Sequence, residues 1–262
     1  MNEQRIVFLM YHELEETGRS LGQSEPGYVR YVLRVADFQA QMELLRSKGW
    51  RGVSVGEAIR FTDDKLVAVT FDDGSETDLL FAAPLLKQLG FGATFYVTTR
   101  FLEQPGYLSH AQLRELRALG FEIGCHSMTH AYLTDLDSDG LHREIAEAKT
   151  QLEQILDERI EHFSCPGGRY DRRVAQVAAQ AGYRTVATSQ ILANSMSTDR
   201  FALGRVAVMR STSLHAFEEI YSGRGLWQSR MSQQLSQAGK KLLGNSIYDR
   251  LRSALLGHNP SV

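Results

Sequence analysis

Short apolar runs alternate along the chain with longer stretches of helical period, and this alternation most narrows what it can fold into. The runs are Ile6–Met10, Val53–Val55, Leu66–Phe71, Ala93–Val97, Phe121–Cys125, His162–Cys165, Tyr183–Thr188 and Val206–Val208. Between them the pattern predicts helices from Asp37 (as N-cap) to Gly49, from Asp78 to Leu89 with Gly90 just past the end, and from Ser109 to Gly120. Further helices are expected from about Ser138 to Leu156, from Arg173 to Ala181, and after Ser213. Ser54 with Glu57 and Ser109 with Gln112 have capping-box spacing, and Glu13 to about Gly27 reads as a polar loop. Strand and helix in strict turn imply βαβ units, hence a parallel sheet, either open and doubly wound or closed as a barrel.

Such a sheet makes its C-terminal strand ends the place to look for chemistry, and four runs end in reactive residues. Ile6–Met10 leads into Tyr11-His12, and Leu66–Phe71 into Asp72-Asp73-Gly74. Phe121–Cys125 leads into His126-Ser127-Met128-Thr129-His130, and His162–Cys165 into Pro166-Gly167-Gly168-Arg169-Tyr170-Asp171. Adjacent carboxylates repel unless a cation or a proton lies between them, although the same pair also reads as a turn before the Asp78 helix. Two histidines four apart share a face if the segment turns helically. Two imidazoles with one carboxylate make a three-ligand metal site that leaves a position for water or substrate. Pro166-Gly167-Gly168 is a turn able to offer backbone N–H groups to an anion, or simply a turn.

These residues together resemble the polysaccharide deacetylases, the NodB-homology family also called carbohydrate esterase family 4. Thr70-Phe71-Asp72-Asp73-Gly74 is similar to the family's first motif, and His126-Ser127-Met128-Thr129-His130 to its second. The resemblance implies Asp72 as catalytic base, with Asp73, His126 and His130 as metal ligands, and the Gly167 N–H as oxyanion donor. Ser164-Cys165-Pro166-Gly167-Gly168 departs from the common third motif, whose Arg braces the base, and either Arg169 or Arg205 is a candidate replacement, with Tyr170 nearby. No copy of the motif that ends in the general-acid His follows Arg205. Leu9-Met10-Tyr11-His12 instead resembles the poly-N-acetylglucosamine deacetylase-like branch, which implies His12 as the acid, with His215 as the competing choice. The resemblance spans about residues 5 to 220. It implies a distorted (β/α)7 barrel of the α/β class and a divalent metal, zinc first and cobalt or nickel as alternatives. The implied reaction is removal of acetyl groups from N-acetylated sugars in a polysaccharide, an oligosaccharide or a glycan precursor. Relatives also suggest an O-acetyl esterase, a small-molecule amidase or a non-catalytic carbohydrate-binding protein.

Composition sets the remaining bounds. A length of 262 residues with 43% hydrophobic residues suits one large domain, read as a barrel over residues 1–222 and a tail over 223–262. The formal net charge of -2 gives no general attraction to nucleic acid. Cys125 and Cys165 are the only cysteines, which excludes a disulfide scaffold and predicts small buried thiols. No run approaches the roughly 20 apolar residues of a membrane span, and Met1 to Met10 lacks a signal-peptide pattern, so a cytoplasmic location is expected. In the tail, Leu243, Ile247, Leu251 and Leu255 recur every four residues among basic flanks. That stripe reads either as a helix packed across the barrel or as weak contact with an anionic inner-membrane surface.

Overall fold

The computed structural model describes residues 5–60 and 65–226. The apolar runs become β1 (Val7–Tyr11), β4 (Arg51–Val53), β5 (Leu66–Phe71), β6 (Thr94–Val97), β7 (Glu122–Cys125), β8 (His162–Ser164), β9 (Thr185–Ala187) and β10 (Val206–Ala207), with β2 (Leu14–Glu15) and β3 (Leu33–Arg34) paired apart from them. The eight form one sheet in the order β10-β1-β5-β6-β7-β8-β9, and every pairing in it is parallel. β4 pairs with Leu66–Ala68 and β6 with Thr70 and Phe71, so the two share one edge of β5 in succession. Every residue of β1 and β5 is buried, as expected for parallel strands covered on both faces.

The run from β10 to β9 holds seven strands and curls into a distorted (β/α)7 barrel, with β4 as an addition to that count. β9 and β10 do not pair with each other. The chain between them fills the gap: Leu203 bridges Ala187, and Asn194 exchanges backbone hydrogen bonds of 2.7 and 2.8 Å with Ile6. Alternation along the strands then sorts side chains into two layers. Leu9, Tyr11, Val69, Phe71, Phe95 and Cys125 pack outward with Phe38, Met42, Leu86, Leu113 and Leu152 of the helices. Phe8, Ala68, Tyr96 and Ala187 form a smaller cluster that includes Leu203 of the gap segment.

Both capping boxes form, with the Ser54 and Ser109 hydroxyls accepting the N–H of Glu57 and Gln112. The Asp37 cap is corrected: the helix is Val35–Ser47, capped by Arg34. β3 pairs with β2 through Arg34, so the chain passes from strand to helix there. Asp37 sits in the first turn, where its carboxylate accepts from Arg34 Nε and Nη2 at 2.7 and 3.0 Å and suits the positive end of the helix. The polar stretch after Glu13 likewise contains β2 and a short helix, Pro26–Val29. Most of the proposed tail, including the leucine stripe, lies outside the described residues. Among the described residues no helix is long and apolar enough to cross a membrane.

Candidate active site and metal centre

β5 delivers the two carboxylates to the barrel mouth. Asp72 N–H continues the ladder with β1 by donating to Tyr11 O (3.0 Å). The backbone then turns through Asp73 (φ 81°) and Gly74 (φ 82°), so the neighbouring side chains leave in different directions. A non-glycine residue at such a φ is held there only by its surroundings.

Asp72 points inward to Arg205. Arg205 Nη1 and Nη2 donate to Asp72 Oδ1 and Oδ2, both at 2.7 Å, in a two-pronged pair. Nη2 also donates to Ser164 Oγ (2.7 Å), Nη1 to Thr70 Oγ1 (3.3 Å) and Nε to Thr188 O (3.2 Å). All five N–H groups of a guanidinium that is 1% exposed are thereby used. Burial alone would raise Asp72, but the guanidinium of Arg205, and then His126, hold it well below the usual carboxylate range.

Asp73 meets both histidines, whereas Asp72 approaches only His126, at 3.7 Å. Asp73 Oδ1 lies 3.5 Å from His126 Nε2 and 3.4 Å from His130 Nε2. His126 Nδ1 is 2.9 Å from the carbonyl oxygen of Ser164, which can only accept. Nδ1 therefore carries the proton, and the Nε2 lone pair is left for a cation. One ligand atom from each of the three residues lies within 4.8 Å of the others. Asp73 Oδ1 is buried with no hydrogen-bond partner, a costly state for a carboxylate unless a cation occupies the cluster. Tetrahedral ligands about 2.0–2.1 Å from zinc stand about 3.4 Å apart, close to the two separations observed. The donor set thus fits a divalent metal.

The electrostatics agree with that fit. Burial pushes Asp73 up to about 6. Burial also pushes His126 down to about 3 and lowers His130, so both rings favour the neutral, ligating form. The segment between the histidines does not take the helical turn that their spacing allows. Residues 126–130 are non-helical: Ser127 (φ 68°) and His130 (φ 64°) are left-handed, and Ser127 Oγ accepts the His130 N–H at 3.0 Å. The tight reversal brings the ring centroids to 5.1 Å.

The remaining candidates separate cleanly. His12 follows β1, its buried Nδ1 has no partner, and a positive charge on it lowers both Asp72 and Asp73. His215 is exposed on the helix Leu214–Tyr221. Of the two arginines, Arg169 stacks on the Tyr132 ring at 4.0 Å and lies 3.7 Å from Asp135, away from Asp72. Tyr170 is partly buried against the main core. Gly167 sits in the turn after β8 with φ 59°, where a Cβ would stand 2.9 Å from Tyr132 Cε1. Cys125 and Cys165 are free and buried. Sequence reasoning missed Ser164, which serves both Arg205 and His126. Its place in the altered third motif was the available signal.

Comparisons with known proteins show what the chain resembles. Residues 60–186 match the polysaccharide deacetylase family model, a stretch that contains Asp72, Asp73, His126, His130 and Gly167. The Bacillus subtilis protein YxkH, classed with the polysaccharide deacetylases, is 28% identical over 219 residues, covering 81% of this chain and 75% of that one. A peptidoglycan-N-acetylglucosamine deacetylase of Bacillus cereus is 34% identical over 125 residues, 47% of this chain and 56% of that enzyme. The Streptococcus pyogenes deacetylase PplD, solved with acetate, shares the fold with a TM-score of 0.74 at 22% identity, over 84% of this chain and 99% of that one. Over residues 60–186 the chain therefore matches a polysaccharide deacetylase domain, and the relatives it resembles are hydrolases that remove acetyl groups.

Proposed function

We propose that the chain is a metal-dependent hydrolase that removes acetyl groups from N-acetylated sugars. The observation that carries this reading is the convergence of Asp73, His126 and His130 beside a second carboxylate, Asp72, held ionised by Arg205. The first three residues would hold a divalent cation, zinc in the first instance. When bound, it polarises the acetyl carbonyl and acidifies a water, which lets a base as weak as Asp72 accept a proton.

Asp72 takes that proton as the water oxygen adds to the carbonyl carbon. Arg205 keeps the carboxylate oriented throughout, because each of its oxygens has its own N–H partner. The Gly167 N–H, on the turn after β8, donates to the developing oxyanion. His12 gives a proton to the sugar nitrogen as the C–N bond breaks, since an amide anion is a very poor leaving group. Water and the acetamido sugar become acetate and a free amino sugar.

The test is acetate release and amine formation from N-acetylglucosamine oligomers with added Zn2+, alongside acetylated xylan. Release from the oligomers supports the amide reading. Release from xylan alone would replace it with an ester reading.

A further inference from the structure

The turn that places His130 beside His126 is held by a carboxylate to which the reaction above gives no role. Glu144 is buried at 6% exposure. Its Oε2 accepts the backbone N–H groups of Met128 (3.0 Å) and Thr129 (2.8 Å), and its Oε1 accepts from Thr129 Oγ1 (2.6 Å). These bonds grip residues that lie between the two histidines. The same stretch contains the left-handed Ser127 and His130, a backbone that persists only where neighbours fix it.

The sequence supplies Glu144 through an irregular helix. Ser138–His142 and Ala148–Leu156 are joined by a π turn, Arg143–Glu147. Such wide turns recur at functional sites because the added residue re-aims a side chain. No Lys or Arg is paired with Glu144 among the described residues. Its oxygens are instead met by two backbone N–H groups and a hydroxyl.

We propose that Glu144 is a positioning residue for the metal centre, acting through the Met128–Thr129 backbone to hold His130 in its ligating pose. The proposal rests on Asp73, His126 and His130 binding a cation. It assigns Glu144 an effect on cation affinity without contact to cation or substrate.

The test is Co2+ titration of the full chain, followed by visible absorption, with the thermal midpoint of the metal-free protein measured in parallel. Glu144→Ala and Glu144→Asp are compared with wild type, the second keeping the charge but shortening its reach. A residue that orients a metal ligand typically changes affinity about 10- to 100-fold. We expect that loss in both variants, with an altered Co2+ spectrum and a folded metal-free protein. Wild-type affinity and spectrum in either folded variant would overturn the proposal. Absence of Co2+ binding by wild type would instead remove the metal-centre reading beneath it.

Discussion

Asp72 and Asp73 are adjacent in sequence and opposite in environment. The first spends both oxygens on Arg205, while the second has a buried oxygen with no protein partner. Asp72→Asn should therefore keep divalent-cation binding and lose about 10²- to 10⁴-fold in turnover, and Asp73→Ala should lose the cation itself. Binding measured on both proteins separates the roles, and an Asp72→Asn protein with full activity would remove the base. Arg205→Ala strands a buried carboxylate and should cost about 3–5 kcal/mol in denaturant unfolding. Much of that cost should vanish when Asp72→Asn is combined with it, and purely additive losses would count against the pairing. His12→Ala should lower activity far more than His215→Ala, and the reverse ranking would move the acid to His215. The clustering of Asp73, His126 and His130 was legible because two short motifs hold them. The choice of Arg205 over Arg169 was not, because 133 residues separate Arg205 from Asp72 and only the barrel closes that distance.

Strands and caps were legible where a local rule decides them. β5 matches the apolar run residue for residue, and the Ser54 and Ser109 boxes form as spaced. Asp37 failed as a cap because pairing between β2 and β3, a tertiary effect, set where the helix begins. The π turns at Asp78–Ala82 and Arg143–Glu147 left no mark in the periodicity, since apolar spacing stays near helical on either side. His126 and His130 come together through a left-handed reversal, not through the helical turn that their spacing allows. Close packing beneath the site gives a test at this scale. A Cβ on Gly124 of β7 would lie 2.4 and 2.6 Å from Tyr96 ring atoms and 3.0 Å from His162 O. Gly124→Ala should cost about 1–3 kcal/mol, lowering the thermal midpoint by several degrees at roughly 2–4 °C per kcal/mol. An unchanged midpoint would mean that the strand relaxes more easily than its neighbours suggest.

The molecule places chemistry at the C-terminal strand ends and a separate polar network at the opposite end. There Glu122 accepts from Thr94 Oγ1 (2.6 Å) and Gly56 N (3.0 Å) and lies 3.4 Å from His162 Nε2. Burial would raise Glu122, but hydrogen bonding to His162 and then Thr94 and Gly56 lowers it. A carboxyl lowered on folding stabilises the protein fully above its unfolded value of about 4.3, and that stability fades as pH falls through the lower folded value. Glu122→Gln should therefore reduce stability at neutral pH and flatten its decline below about pH 4.5, read from urea midpoints across that range; a parallel decline would exclude the network as its source. The parallel sheet was legible in the alternation of runs, whereas its closure into a barrel was not, because the segment between β9 and β10 is irregular and carries no period. One measurement bears most directly on the central claim: a crystal structure of zinc-loaded protein with anomalous scattering at the zinc edge. The expected result is one peak bonded to Asp73, His126 and His130 at about 2.0–2.2 Å, with Asp72 alongside and still paired to Arg205. A peak held by other residues, or none between these three, would contradict it.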